Sequence, residues 1–356
     1  MNIPYRNYFD EDVLKLEQKL LFNKLKYLGH SNTLKDLSIG SYACLPQENN
    51  ARMLMKAEEG IRLLSNICRH RQAIMLHGNG TAENIVCPLH GWTYNPNGEL
   101  IGSPSFDPCP NKNLTVYDHV TWNDLLFEKN SFTSSQGFID DLDKIKFLEF
   151  LNFKNYVRHS TKEHLFNYNW KTFIEVYLDD YHVKPFHPGL GNFVNCNNLE
   201  WQFGQNFSVQ SVGIYNDLKV PGTPVYKAWH ESLLKYRNGH IPQYGAIWLT
   251  IYPNIMIEWY PEVLVISSLW PESSQRTKNI VEFYYPEDIC FFEPDFVQAH
   301  QAAYIETCDE DDEIAERMDN GRRYLASKHI NDFGPIHHPM ESGLEHFYEY
   351  YNNYIK

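Results

Sequence analysis

Cys68-Arg69-His70 and Cys87-Pro88-Leu89-His90 place two thiols and two imidazoles in the pattern C-x-H-x16-C-x2-H. Structural zinc sites usually present cysteines and histidines in blocks, two of one kind and then two of the other. Here the types alternate. Alternation suits a [2Fe-2S] cluster in which both thiolates bind one iron and both imidazoles bind the other, and neutral imidazoles raise its potential above that of an all-cysteine cluster. Gly91 lets the backbone approach the sulfurs. His77, between the two half-motifs, reads as a surface histidine.

A second group lies downstream, in Asp179-Asp180-Tyr181-His182-Val183-Lys184-Pro185-Phe186-His187. On a regular helix, side chains five residues apart point roughly 140° apart. Pro185 removes a backbone donor and would let His187 swing back toward His182. Two histidines and one distant carboxylate form the facial triad of non-haem Fe(II) oxygenases, with positions left open for dioxygen and substrate. Taken alone, the pair also fits ordinary polar residues at a helix end.

Residues 10–29 read as a helix stopped by Gly29. From about 38 to 130 the pattern is short strands and turns, and Asn79-Gly80 and Asn97-Gly98 are turn dipeptides beside the Cys/His pairs. Two loops, each offering one Cys and one His, would build a cluster site. Residues 130–150 look like a polar connection. Residues 168–184 read as a helix, 199–213, 244–252, 254–270 and 279–285 as strands, 292–327 as a helix with an acidic centre, and the tail as a last amphipathic helix. The fold class is α+β. The expected division is an N-terminal helix at 1–37 packing on the catalytic domain, a cluster domain at 38–145 and a catalytic domain at 146–356.

The chain has 356 residues, 43% hydrophobic and 15% aromatic, with 31 Lys+Arg against 45 Asp+Glu and a net charge of -14. That balance argues against nucleic-acid binding. The start shows no signal-peptide core, and no stretch approaches the ~18 apolar residues of a membrane span, so a cytoplasmic protein is expected. Cys44, Cys109, Cys196, Cys290 and Cys308 have no ligand-like spacing and read as free thiols.

Cys87-Pro88-Leu89-His90-Gly91-Trp92, with Gly98-Glu99-Leu100 downstream, resembles the Rieske signature. Asn169-Trp170-Lys171, Glu175, Tyr177, Asp179, Tyr181, His182 and His187 resemble the catalytic-helix pattern N-W-K-x3-E-x-Y-x-[DE]-x-Y-H-x4-H. Together they resemble the α subunit of the Rieske non-haem iron oxygenases, the ring-hydroxylating family, over essentially the whole chain. The resemblance is nearest to the single-subunit branch with choline and carnitine monooxygenases. It implies an all-β Rieske domain and a helix-grip catalytic domain. It assigns Cys68, His70, Cys87 and His90 to the cluster, and His182 and His187 to a mononuclear Fe(II). The third iron ligand, an Asp in E-D-x4-E, falls on Asp311, with Asp312 as the weaker candidate in the same acidic run. Asp319-Asn320-Gly321 departs mildly from the family, which often has Gln two residues before Gly.

The same resemblance implies head-to-tail homotrimers or dimers of trimers, in which one subunit's cluster abuts the next subunit's iron. Asp179 would bridge the two through His182 and the neighbour's His90, with Asp180 the competing candidate. Glu175 and Tyr177 would be structural or supporting. No flavin or nicotinamide motif and no second cysteine cluster is present, so a separate NAD(P)H-dependent flavin reductase, with or without a ferredoxin, is implied. The expected activity is O2-dependent hydroxylation or oxidative dealkylation, as a mono- or dioxygenase, of an aromatic acid or a quaternary amine. Trp248, Tyr252 and Trp259 could wall a cation pocket, although core packing is their commoner use. The rival reading is a Rieske electron carrier or redox sensor without oxygenase activity.

Overall fold

The computed structural model describes residues 2–355 apart from 25, 35–36 and 130–134. The start of the expected connection, 130–134, lies outside the described residues. The rest of that connection contains a helix, Ser135–Leu142.

The chain divides into two units: Met1–Asn23 with Gln136–Lys356, and Lys24–Ser135. The first boundary follows from strand pairing. Tyr27–His30 pairs antiparallel with Leu125–Glu128, which draws residues 27–30 into the cluster unit. Gly29 therefore lies in a strand and does not stop a helix. The N-terminal helix is shorter than expected. Asp10 caps it by accepting from the Asp12 and Val13 amides, it runs Glu11–Glu17, and it widens into a π-helical turn at Gln18–Phe22.

The cluster unit is all β. Its five-stranded sheet has the order Asn79–Thr81, Ser41–Cys44, Arg52–Ala57, Gly60–Ser65, Val116–Tyr117. Asn79-Gly80, expected as a turn, is thus an edge strand paired with Ser41–Cys44. Asn97-Gly98 does make a turn: Gly98 takes φ +86° between Thr93–Tyr94 and Leu100–Gly102. Those two short strands join Ile85–Val86 in a three-stranded sheet.

The catalytic unit is built on a seven-stranded antiparallel sheet. Its order is Tyr156–Phe166, Arg276–Pro286, Val263–Ser273, Ile255–Tyr260, Ala246–Ile251, Phe207–Ile214, Val194–Phe203. The expected strands 199–213 and 254–270 each prove to be hairpins, and Tyr156–Phe166 is an additional edge strand. The helices Pro294–Ser327 and Ser342–Tyr354 close the domain as expected. One core cluster lies between the sheet and Pro294–Ser327, around Trp229, Val265, Phe283 and Phe296. Among the described residues, no helix is long and apolar enough to cross a membrane.

The N-terminal segment is fastened to this unit by buried polar contacts. Lys171 Nζ meets Glu17 Oε1 at 2.7 Å with both side chains fully buried, and Trp170 Nε1 donates to Glu17 Oε2 at 2.8 Å. Asn169 caps the helix Trp170–Tyr177 and donates its amide to Tyr8 O and Ser274 O. Glu175 pairs with Arg322 at 2.6 Å. Asp319, where the sequence departs from the resembled pattern, accepts from the Asn169 backbone N–H and the Thr172 hydroxyl.

Candidate metal centre and substrate cavity

The helix that carries the second motif does not run to Pro185. It ends at Tyr177, and a separate turn spans Val183–Phe186. Pro185 sits inside this turn and does not break it, because an amide in the first turn of a helix has no partner to lose. His182 precedes the turn with helical φ/ψ, and His187 follows it in an extended conformation (φ -100°, ψ 99°). That change of backbone at His187 is what brings the two rings together.

The two Nε2 atoms lie 3.1 Å apart. Asp311 Oδ1, on the helix Pro294–Ser327, is 3.3 Å from His182 Nε2 and 3.0 Å from His187 Nε2. Donor–metal bonds of roughly 2.1 Å at about right angles would space donors ~3 Å apart. The three atoms therefore fit one small divalent cation with a free face. Burial lowers the His182 imidazole, but Asp179 and Asp311 outweigh it and raise its pKa to about 10. Asp311 is held below the usual carboxylate range, where both imidazoles overcome the upward push of burial.

Two carboxylates flank the histidines on their far sides. Glu310 Oε2 is 2.7 Å from His187 Nδ1. Asp179 Oδ2 faces His182 Nδ1 from 3.5 Å without a hydrogen bond, while its Oδ1 accepts from the Tyr181 and His182 amides. Sequence reasoning missed Glu310, which looked like one more member of an acidic run. The run divides by helix face: Asp309 and Glu313 are exposed, whereas Glu310, Asp311 and Asp312 turn inward. Asp312 does not join the metal group; it takes His164 Nε2 at 2.8 Å and the Tyr168 hydroxyl at 2.6 Å. Asp180 is buried with its side chain toward Cys196, apart from the triad donors.

These residues line a cavity that continues along the sheet past Tyr177, Trp248, Glu258, Tyr260 and Tyr304. Its described lining includes five carboxylates and no Lys or Arg. Of the three aromatic candidates, only Trp248 faces it. Tyr252 packs in the other core cluster, and Trp259 lies edge-on to Phe150. Glu258 was not anticipated, because a Glu inside a hydrophobic strand gives no spacing signal.

In the cluster unit, Cys68 and Cys87 are buried. Cys68 opens a turn closed by the Gln72 amide to Cys68 O, and Cys87 opens one closed by the Gly91 amide to Cys87 O, with Gly91 at φ +71°. The His70 and His90 rings lie 4.7 Å apart, and His70 stacks on Trp92. The buried Nδ1 of His70 has no hydrogen-bond partner. Two buried thiols with two neighbouring imidazoles, one of them with an orphaned nitrogen, fit the donor set a Rieske cluster requires. His90 is exposed.

Residues 28–118 match the Rieske [2Fe-2S] domain, and residues 153–356 match the catalytic domain of the ring hydroxylating alpha subunit. The chain belongs to the Rieske non-haem iron oxygenase family. The oxygenase is 50% identical over 350 residues to a putrescine 2-hydroxylase of Ralstonia nicotianae, covering 98% of this chain and 94% of that protein. It is 47% identical over 365 residues to a putrescine 2-hydroxylase of Bordetella bronchiseptica, covering 98% and 83%. Its fold matches a crystal structure of the quaternary ammonium Rieske monooxygenase CntA with a TM-score of 0.77 at 17% identity, over 100% of this chain and 95% of that one. It is an oxidoreductase and a terminal oxygenase hydroxylating a small substrate, with a Rieske cluster and a mononuclear iron as cofactors and electrons drawn from a separate reductase. Nothing favours the cluster-only electron carrier, which would have no use for a catalytic domain.

Proposed function

We propose that the oxygenase inserts one oxygen atom into a short linear diamine, putrescine or a close homologue, at the carbon adjacent to an amine-bearing one. The observation that carries this reading is the cavity: carboxylates and aromatic walls, with no Lys or Arg in its described lining. Such a lining favours a cation and repels an aromatic acid. A quaternary amine would suit the aromatic walls. The extensive identity with two putrescine 2-hydroxylases favours primary amines instead.

In this reading Cys68, His70, Cys87 and His90 hold the cluster, and His182, His187 and Asp311 hold the iron. Iron in that site supplies the activation of dioxygen. The chain's own residues orient and shield. Glu310 accepts from the outer imidazole nitrogen of His187, which fixes that tautomer and leaves Nε2 free to bind metal, while Asp179 holds the His182 backbone amide and faces its ring from 3.5 Å. Asp179 also serves as the bridge to the neighbour's His90, in a head-to-tail homotrimer or a dimer of trimers that closes as a ring. The cytosol, which keeps thiolates reduced, is the proposed compartment.

The test uses iron-loaded protein, a compatible Rieske-oxygenase reductase and NADH. Putrescine, benzoate and carnitine are offered at equal concentration, and products are read by mass spectrometry. A monohydroxylated diamine as the main product supports the reading. Preferential turnover of benzoate or carnitine overturns it.

A further inference from the structure

Glu258 lies on the strand Ile255–Tyr260, and its side chain is 4% exposed. Among the described residues, no ion pair is formed with it. Its carboxylate is held by neutral donors, with Tyr304 Oη donating to Oε1 at 3.0 Å and Tyr260 Oη to Oε2 at 2.8 Å. Tyr260 is itself fixed by the Trp248 indole N–H at 3.1 Å. Each carboxylate oxygen has about two acceptor sites, so this arrangement leaves half the capacity unused. The buried hydroxyl of Tyr177 lines the same cavity and has no partner.

Burying a carboxylate without a cation is costly. An assembly of two tyrosines and a tryptophan that fixes such a group is a built anionic seat. Burial raises its pKa to about 7, against the downward pull of the two tyrosine hydroxyls. The helix Pro294–Ser327 links the seat to the metal triad. Tyr304 and Asp311 are seven residues apart on one helix, about two turns and ~10 Å along the axis. That is the order of span needed for a linear diamine to rest one end on Glu258 while an inner methylene faces the triad.

Resting on the diamine reading above, we propose that Glu258 is the specificity-determining residue, seating the far ammonium group of the substrate with Tyr177 as a second acceptor. Recognition then depends on two charges at a fixed separation. A monoamine of equal length leaves Glu258 unpaired. The chemistry at the near end is unaltered by this assignment.

The experiment measures anaerobic binding by titration calorimetry, and hydroxylation, for putrescine, cadaverine and 1-aminobutane. It compares the iron-loaded wild type, Glu258→Gln and Glu258→Asp. One lost charge-assisted contact corresponds to about 10- to 100-fold in affinity. The wild type should prefer putrescine to 1-aminobutane by that factor, and Glu258→Gln should erase the preference. Glu258→Asp withdraws the carboxylate by one methylene and should move the preference toward cadaverine. Retention of the diamine preference by Glu258→Gln overturns the assignment. If Glu258→Gln does not fold, an unchanged chain-length order in Glu258→Asp overturns it equally. A wild type that binds neither diamine overturns the diamine reading itself, which separates the two failures.

Discussion

Glu310 Oε2 and His187 Nδ1 lie 2.7 Å apart, on the side of the ring opposite the metal-facing nitrogen. The neighbouring residue on the same helix, Asp311, faces Nε2 of that ring at 3.0 Å. Two consecutive acidic residues thus grip both nitrogens of one imidazole. Outer partners of this kind typically contribute 10- to 100-fold in metal affinity. Glu310→Gln should weaken iron binding to the catalytic unit by about that factor and leave the cluster's visible spectrum intact. Competition against a calibrated chelator measures it; unchanged affinity contradicts the supporting role.

Asp179 should behave differently. It holds the His182 backbone amide and faces the outer nitrogen of that ring from 3.5 Å, and the proposed bridge runs through it to another subunit. Asp179→Asn should keep both metal centres and substrate binding, yet slow oxidation of the reduced cluster by at least ~100-fold on mixing with O2 and substrate, the order of loss for a misplaced relay. Stopped-flow absorbance of the cluster reads this directly. Wild-type reoxidation rates in Asp179→Asn would remove Asp179 from the electron route.

Much of this site was legible from residue order. Cys68, His70, Cys87 and His90 are chemically distinctive and alternate at ligand-like spacing, so spacing alone nominated them, whereas His182 and His187 gained their meaning from that upstream motif. Asp311 needed the family pattern, because one carboxylate among Asp309 to Glu313 can be chosen only by its helix face. The Asn169-Trp170-Lys171 stretch was legible as a motif but not as a mechanism. Its partners, Tyr8 and Glu17, are more than 150 residues away. Glu258 and Glu310 were invisible for the same reason: their meaning lies in what folding places opposite them. The break before His182 was misplaced onto Pro185 because proline is conspicuous. The structure puts that proline where a helix tolerates it.

The fully buried Glu17–Lys171 pair ties the N-terminal segment to the catalytic helix. Removing one partner of a buried pair leaves an uncompensated charge and costs about 3–5 kcal/mol. Lys171→Met should lower stability by that amount in urea unfolding, whereas the double variant Lys171→Met/Glu17→Leu should recover much of it. A single variant as stable as wild type would contradict the coupling.

Glu258 makes a pH prediction for the metal-free, substrate-free protein. Burial raises its carboxyl from the ordinary value to about 7. A raised carboxyl pKa means the folded chain holds a proton that the unfolded chain has released. The associated stabilisation is complete below the ordinary carboxylate pKa and is lost as pH rises through about 7. Glu258→Gln cannot lose it. Relative to wild type, the variant should therefore gain up to ~3 kcal/mol between pH 5 and pH 8, seen as a growing Tm difference in calorimetry. A pH-independent difference would show that Glu258 is ionised throughout. In the same pH range diamine affinity should rise, because an alkylammonium stays protonated up to ~10 while Glu258 gains its charge.

The central claim is that this chain hydroxylates a diamine with oxygen taken from O2. Reaction of the iron-loaded protein with reductase, NADH, putrescine and 18O2 tests it most directly. The account predicts a monohydroxylated putrescine carrying one 18O atom, absent when His182→Ala protein is used. Unlabelled product, or no diamine product from protein with both metal centres filled, would contradict it.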